Sequence, residues 1–138
     1  MKTIETTIFV EPTPKGRPRF AIVNGHARAF TPAKTRNAEA EIVIAIRNEV
    51  LKHGRFMDDT PLRLDAVFYI PKPKSKPKRV TMPTTKPDID NYGKLCLDAL
   101  SGYLFKNDSQ ITTLVLRKRY CEEGKLPRVE LKVREDIE

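Results

Sequence analysis

Several short segments of the chain are rich in β-branched and other apolar residues, and in 62–70 these alternate at first with polar residues, as is typical of β-strands. Asn24-Gly25 separates two further short apolar segments, 20–23 and 26–30, and predicts a β-hairpin. The last two strands are joined by a Glu-Glu-Gly-Lys turn, so we expect them to pair with each other as a closing antiparallel hairpin. The strands predicted in this way, apart from the hairpin, cover residues 3–10, 62–70, 111–121 and 128–134.

Two other segments carry apolar residues at helical spacing. The first runs from residue 33 to about residue 53, with Thr31 as its N-cap, Pro32 in the first helical position and Gly54 as its stop. The second runs from about Asp90 to Ser101 and is closed by Gly102. The resulting order of strand, hairpin, helix, strand, helix, strand, strand predicts an α+β fold with a mostly antiparallel sheet.

Length and composition limit the class of protein. The 138 residues, 39% of them hydrophobic, predict a single folded domain over residues 1–138. No apolar run is long enough for a membrane span or a signal peptide, so we expect a cytoplasmic protein without a membrane partner. Cys96 and Cys121 are too few for a disulfide framework and lack the spacing of a zinc site. Cys96 is interpreted as a small hydrophobic residue on a buried helix face.

The charge of the chain points to an anionic partner. Lys and Arg number 26 and Asp and Glu 18, so the formal net charge is +8. Residues 71–87 hold five prolines and six cations without any acid, which predicts a mobile basic loop. Such a concentration of positive charge favours nucleic acid as the partner.

Two carboxylates interrupt this basic surface, because Asp88 and Asp90 follow the loop directly. Acids repel a phosphate backbone unless a cation lies between them, and Mg²⁺ binds carboxylate and phosphate oxygens together. The alternative is that Asp90 caps a helix with Asp88 as its neighbour. Lys94, one helical turn after Asp90, either pairs with Asp90 or Asp98 or stabilises charge on a phosphoryl group.

A third acid, Asp108, lies in the loop between the second helix and the next strand. A turn residue is the ordinary interpretation of this position. The same loop returns from the end of the helix, and we expect it to bring Asp108 back towards Asp88.

Taken together, these segments resemble the RusA family of Holliday junction resolvases. An N-terminal segment, Pro14-Lys15-Gly16-Arg17-Pro18-Arg19, is similar to one in phage and prophage members of the family. The motifs that carry the resemblance are, in chain order, Lys86-Pro87-Asp88-Ile89-Asp90-Asn91-Tyr92-Gly93-Lys94, Asp98-Ala99-Leu100 and Asn107-Asp108-Ser109-Gln110. Asn107 departs from the pattern, since some members carry a second acid at this position; its carbonyl could still hold a water or a metal.

The resemblance implies a metal-dependent crossover junction endonuclease that acts as an intertwined or two-fold homodimer on four-way DNA junctions in recombination and repair. It implies Mg²⁺, with Mn²⁺ as a substitute, held by catalytic Asp88, Asp90 and Asp108, and an essential Lys94. A two-fold dimer would match the two cuts that a four-way junction requires. We assign contacts with backbone phosphates to Lys15, Arg17, Arg19, Lys72, Lys74, Lys76, Lys78, Arg79 and Lys86.

Three alternatives stay open at this point. The chain could be a non-catalytic nucleic-acid-binding module, or a nuclease for other branched DNA such as flaps. Pro87-Asp88 with Glu130 and Lys132 also spells the PD-(D/E)xK signature of another nuclease superfamily, although the 41 intervening residues are more than that motif usually allows. The run Arg117-Lys118-Arg119-Tyr120 is interpreted as an exposed strand face, with phosphate contact as its alternative.

Overall fold

The computed structural model describes residues 2–137 and confirms the α+β fold with the predicted order of elements. Its helices and strands are β1 (Thr3–Ile8), β2 (Arg19–Val23), β3 (His26–Phe30), α1 (Ala33–His53), β4 (Leu62–Ile70), α2 (Ile89–Leu100), β5 (Ile111–Tyr120) and β6 (Arg128–Glu135). A short 3₁₀ turn, Asp108–Gln110, precedes β5. Between residues 2 and 137, no helix is long and apolar enough to cross a membrane.

Four strands form the main sheet in the order β1-β6-β4-β5. β6 is antiparallel to both of its neighbours, whereas β5 is parallel to β4. The predicted hairpin of the last two strands is therefore wrong, because β4 lies between them. Val129, Leu131 and Val133 of β6 are buried, which suits an interior strand, while β5 forms an edge of the sheet.

β2 and β3 form a separate hairpin, as the sequence predicts. Asn24 and Gly25 have φ angles of 53° and 78°, the left-handed conformation that a two-residue hairpin turn requires. All ten strand residues are exposed, and Phe20 and Ile22 keep 74% and 80% of their surface in solvent. The hairpin is thus an arm that projects from the body of the protein.

Both helices pack on one face of the main sheet. Alternate residues of β4, from Leu62 to Phe68, point into the core, where they meet apolar side chains of α1 and α2. Cys96 of α2 is buried there, and burial raises the pKa of its thiol to about 12, in keeping with its predicted role as a small hydrophobic residue. The opposite face of the sheet carries the charged side chains of β4 and β6.

The helix termini differ slightly from the predicted ones. Pro32, and not Thr31, is the N-cap of α1: its backbone is extended, and its carbonyl accepts the first helical hydrogen bond from Arg36 N at 3.1 Å. The α2 helix begins one residue earlier than predicted, at Ile89, with Asp88 as its N-cap. Shifts of one residue are ordinary at helix ends.

The direction of α2 decides where the candidate site residues lie. β4 ends at Ile70, the basic loop follows, and α2 then runs back along the sheet towards the start of β5. Near the end of β4, Phe68 stacks on Tyr92 in the first turn of α2, with ring centroids 5.2 Å apart. Before β4, Phe56 N donates a 3.0 Å hydrogen bond to Leu104 O, just after α2. The two ends of α2 therefore lie at opposite ends of the sheet.

Candidate active site

Asp88 and Asp90 lie at the amino end of α2, and both are exposed. Asp88 occupies the N-cap position, but its side chain makes no capping hydrogen bond. Asp90 lies inside the first turn, so it is not the cap either. Neither carboxylate forms an ion pair with a residue of the range 2–137. The capping interpretation is thus not realised, and both carboxylates are free to bind a cation.

Lys94 follows one turn after Asp90 and is also exposed. An ion pair with Asp90 or Asp98 would give Lys94 a purely structural role, and the described part of the chain contains neither pair. Asp98, one of the two acids within its reach, pairs instead with Lys15 at 3.0 Å. The ammonium of Lys94 is therefore available on the same side of α2 as Asp90, one helical turn further along.

Asp108 lies at the other end of α2. Neighbouring residues of its loop contact the segment before β4: Gln110 Nε2 donates hydrogen bonds to Met57 O and Thr60 O at 3.0 and 3.1 Å. A helix of 12 residues is about 18 Å long. The expected return of Asp108 towards Asp88 therefore does not occur within one chain, and residues 2–137 contain no group of three or more acidic, His or Cys side chains that could hold a metal ion.

The loop that carries Asp108 is held rigidly by its own side chains. Asn107 Oδ1 accepts a hydrogen bond from Ser109 N at 3.0 Å and so caps the 3₁₀ turn. Gln110 Oε1 accepts from the backbone N–H groups of Lys106 and Asn107 at 3.0 and 3.1 Å. These bonds give Asn107 and Gln110 structural roles and leave the Asp108 carboxylate exposed.

Lysine side chains of the basic loop line a groove of about 900 Å³ at the end of the sheet where α2 begins. Lys72 is folded back within it, where its ammonium donates to Pro77 O at 3.1 Å and lies 5.9 Å from the centre of the Tyr120 ring. Two acids, Glu122 and Glu123, also line the groove. The lysines that line the groove are Lys72, Lys74, Lys76, Lys78 and Lys125. Arg79 and Lys86 belong to the same loop and are exposed.

The N-terminal cations divide into two groups. Arg17 and Arg19 are exposed where the hairpin arm begins. Lys15 instead lies between Glu39 and Asp98, at 2.7 and 3.0 Å. Partial burial disfavours its charge, but the hydrogen bonds to these two acids outweigh that effect and raise the pKa of Lys15. Lys15 thus joins α1 to α2 in the free protein.

Comparison with known proteins identifies the family. The model of the family described as Endodeoxyribonuclease RusA matches residues 10–134. The chain belongs to the RusA endodeoxyribonuclease family. It is also similar to the uncharacterized protein YqaN of Bacillus subtilis (strain 168), with 36% identity over 148 aligned positions that cover 98% of each chain.

RusA membership supports a nuclease that acts on DNA, and the family implies the Holliday junction resolvase activity. The structure also weighs against the PD-(D/E)xK alternative for this RusA protein. Glu130 and Lys132 alternate with buried residues of β6, so they lie on the sheet face opposite α2. Glu130 is paired with Arg128 at 2.9 Å. The sheet therefore separates this pair from Asp88.

The interpretation of Arg117-Lys118-Arg119-Tyr120 as an exposed strand face is wrong for Lys118, which is half-buried. Lys118 lies on the same, helix-facing side of β5 as Leu114 and Leu116. Its ammonium donates hydrogen bonds to Thr85 O and Pro87 O at 2.8 and 2.9 Å. A lysine on the inward side of an alternating strand is uncommon, because its charge needs a partner there. In the sequence, Lys118 continues the alternate positions of Leu114 and Leu116, whereas Arg117 and Arg119 occupy the outward positions. This spacing could have distinguished Lys118 from its two neighbours.

Proposed function

We propose that the protein is a divalent-metal-dependent endonuclease that cleaves four-way DNA junctions as a homodimer, in recombination and repair. The observation that carries the proposal is the exposed, uncommitted trio of Asp88, Asp90 and Lys94 at the N-cap and in the first two turns of α2. This helix begins at the same end of the sheet as the lysine-lined groove. Carboxylates on a cationic DNA-binding surface oppose binding unless a cation accompanies the substrate. This trio therefore favours catalysis over simple binding.

The donor set fits a hard divalent cation such as Mg²⁺, with Mn²⁺ as a substitute. Asp88 and Asp90 offer carboxylate oxygens, and a phosphate of the substrate supplies others. A cation bound there would neutralise the scissile phosphate and favour attack by water. Asp88 and Asp90 would hold and orient that cation, and the Lys94 ammonium would stabilise the negative charge on the departing oxygen.

The position of Asp108 supports a site shared between two subunits. Within one chain, the length of α2 separates Asp108 from Asp88 and Asp90. In a two-fold dimer with α2 of each chain near the other, Asp108 of the partner subunit completes the carboxylate set, and the reciprocal contact builds a second, equivalent site. Two sites related by a two-fold axis suit a junction that must be cut on two strands of like polarity.

Other branched DNA, such as flaps or splayed arms, is the rival substrate, since the same chemistry would act on it. We therefore compare labelled synthetic four-way junctions, flaps, linear duplexes and single strands, each with and without Mg²⁺. The proposal predicts metal-dependent paired nicks at the junction and little cutting of linear duplex. Equal cleavage of every substrate would contradict the junction assignment.

Replacement of Lys74, Lys76 and Lys78 by Ala should weaken binding to every DNA shape by a similar factor. Each lost phosphate contact lowers the slope of log K against log salt by roughly 0.9 on duplex DNA. We expect the slope, measured by fluorescence anisotropy over a salt series, to fall by up to about 3.

The matched control removes three cations from the far end of α1 and the loop after it, by the substitutions Arg47→Ala, Lys52→Ala and Arg55→Ala, all at exposed positions. This variant should keep the original slope. Equal slopes for both triple variants would mean that the basic loop does not contact phosphate.

A further inference from the structure

Lys118 has no part in the reaction proposed above. It is half-buried on β5 beneath the segment that leads into α2. Its ammonium donates to two successive parts of that segment, Thr85 O at 2.8 Å and Pro87 O at 2.9 Å. Pro87 immediately precedes Asp88, so one of these bonds fixes the peptide that joins the basic loop to the candidate active site.

Besides the bonds from Lys118, the described structure holds this segment by the burial of Pro83 and by backbone turns that end at Lys76 and Val80. Residues 71–87 contain no helix or strand, and their five prolines have no N–H group to donate. Asp88 does not anchor itself by a capping bond. Hydrogen bonds from an ammonium to carbonyl oxygens are charge-assisted and stronger than neutral ones. Lys118 therefore supplies two charge-assisted hydrogen bonds to the backbone that leads directly into Asp88.

We propose that Lys118 is a positioning residue, which holds the backbone before Asp88 so that the Asp88 and Asp90 carboxylates are preorganised for a divalent cation. The inference rests on the proposed function and adds a residue to that site. It also assigns Lys118 a role other than phosphate contact, because its ammonium is turned inwards to two carbonyl groups. Groups that orient metal ligands in this way change metal affinity or activity by about 10- to 100-fold when they are removed.

The test compares three variants: Lys118→Met, Lys118→Arg and Lys132→Met. Lys132→Met is the matched control, because Lys132 is an exposed lysine on the opposite face of the sheet. Mn²⁺ binding is measured by titration calorimetry on each variant with a bound junction that carries non-hydrolysable linkages at the cut sites, and cleavage rates of the ordinary junction are measured against Mg²⁺ concentration. We expect Lys118→Met to bind Mn²⁺ about 10- to 100-fold more weakly and to need correspondingly more Mg²⁺. Junction affinity without metal, and its salt dependence, should stay as in the parent protein.

Lys118→Arg keeps a donor to the two carbonyls and should recover most of the metal affinity, which guards against a variant that simply folds poorly. Unchanged Mn²⁺ binding in Lys118→Met would overturn the inference, and so would a weaker metal-free affinity with a smaller salt slope, the signature of a phosphate contact. The Asp88→Asn variant, measured in parallel, distinguishes a failure of the proposed function from a failure of the role of Lys118. If it stays active, the proposed function itself fails; if it is inactive while Lys118→Met is normal, only the role of Lys118 fails.

Discussion

Asp88→Asn and Asp90→Asn should each reduce cleavage of a four-way junction by a factor on the order of 10² or more. The amide keeps the size of the side chain but loses the negative charge that binds a divalent cation. Binding to the junction without metal should be unchanged or tighter, because a charge that repels phosphate has been removed. Neither side chain caps α2, so we expect the helix to keep its stability.

The measurement separates binding from turnover for each variant. Affinity is determined in the presence of chelator, and single-turnover cleavage is determined with Mg²⁺ at saturating protein. Glu41→Gln, at an exposed position of α1, is the control for the loss of one negative charge and should cleave normally. Variants that lose binding, with no separate effect on turnover, would contradict a metal site at the amino end of α2.

Lys94→Ala should also reduce turnover by a factor on the order of 10² or more, as the loss of a preorganised charge does. The reduction should persist at saturating Mg²⁺ and saturating DNA, because the ammonium acts on the departing oxygen and not on the affinity for metal. The α2 helix should survive, since Ala is the better helix former. Circular dichroism and thermal melting check the fold, and single-turnover cleavage checks the rate.

Glu130→Gln and Lys132→Ala provide the comparison for Lys94. Both residues lie on the sheet face away from α2, so both variants should cleave normally. In a PD-(D/E)xK nuclease the result would be reversed, with Glu130 and Lys132 essential and Lys94 dispensable. A well-folded and fully active Lys94→Ala protein would exclude the role assigned to Lys94.

Most of the secondary structure could be predicted from the sequence, because it depends on local patterns. The alternation in 62–70 gave the bounds of β4, and Asn24-Gly25 gave the hairpin turn. The pairing of strands is not local. After the turn that follows β5, the chain can place β6 directly beside β5 or on the far side of β4. Only the burial of β6 between two partner strands distinguishes these outcomes.

The candidate site could be predicted in part for the same reason. Asp88, Asp90 and Lys94 are close in sequence and share one end of a helix, so their proximity follows from helical spacing. The position of Asp108 depends on the direction of α2 relative to β4 and β5. Because β5 is parallel to β4, α2 must return to the start of the sheet before β5 begins, and this carries Asp108 away from Asp88.

The central claim is that the catalytic carboxylates come from two subunits, and a mixed dimer tests it most directly. Asp88→Asn and Asp108→Asn chains are co-expressed with different affinity tags, and the mixed dimer is isolated through both tags. Each parent variant should be inactive. In the mixed dimer, one site carries both substitutions, whereas the other pairs an intact Asp88 with an intact Asp108 of the partner subunit.

About half of the active sites of the parent dimer, one of two, should therefore remain intact in the mixed dimer. In the presence of Mg²⁺ it should nick one strand of a labelled four-way junction, without the paired cut that resolves the junction. Each site built within a single chain would instead carry one of the two substitutions. A mixed dimer as inactive as its two parents would contradict the shared site.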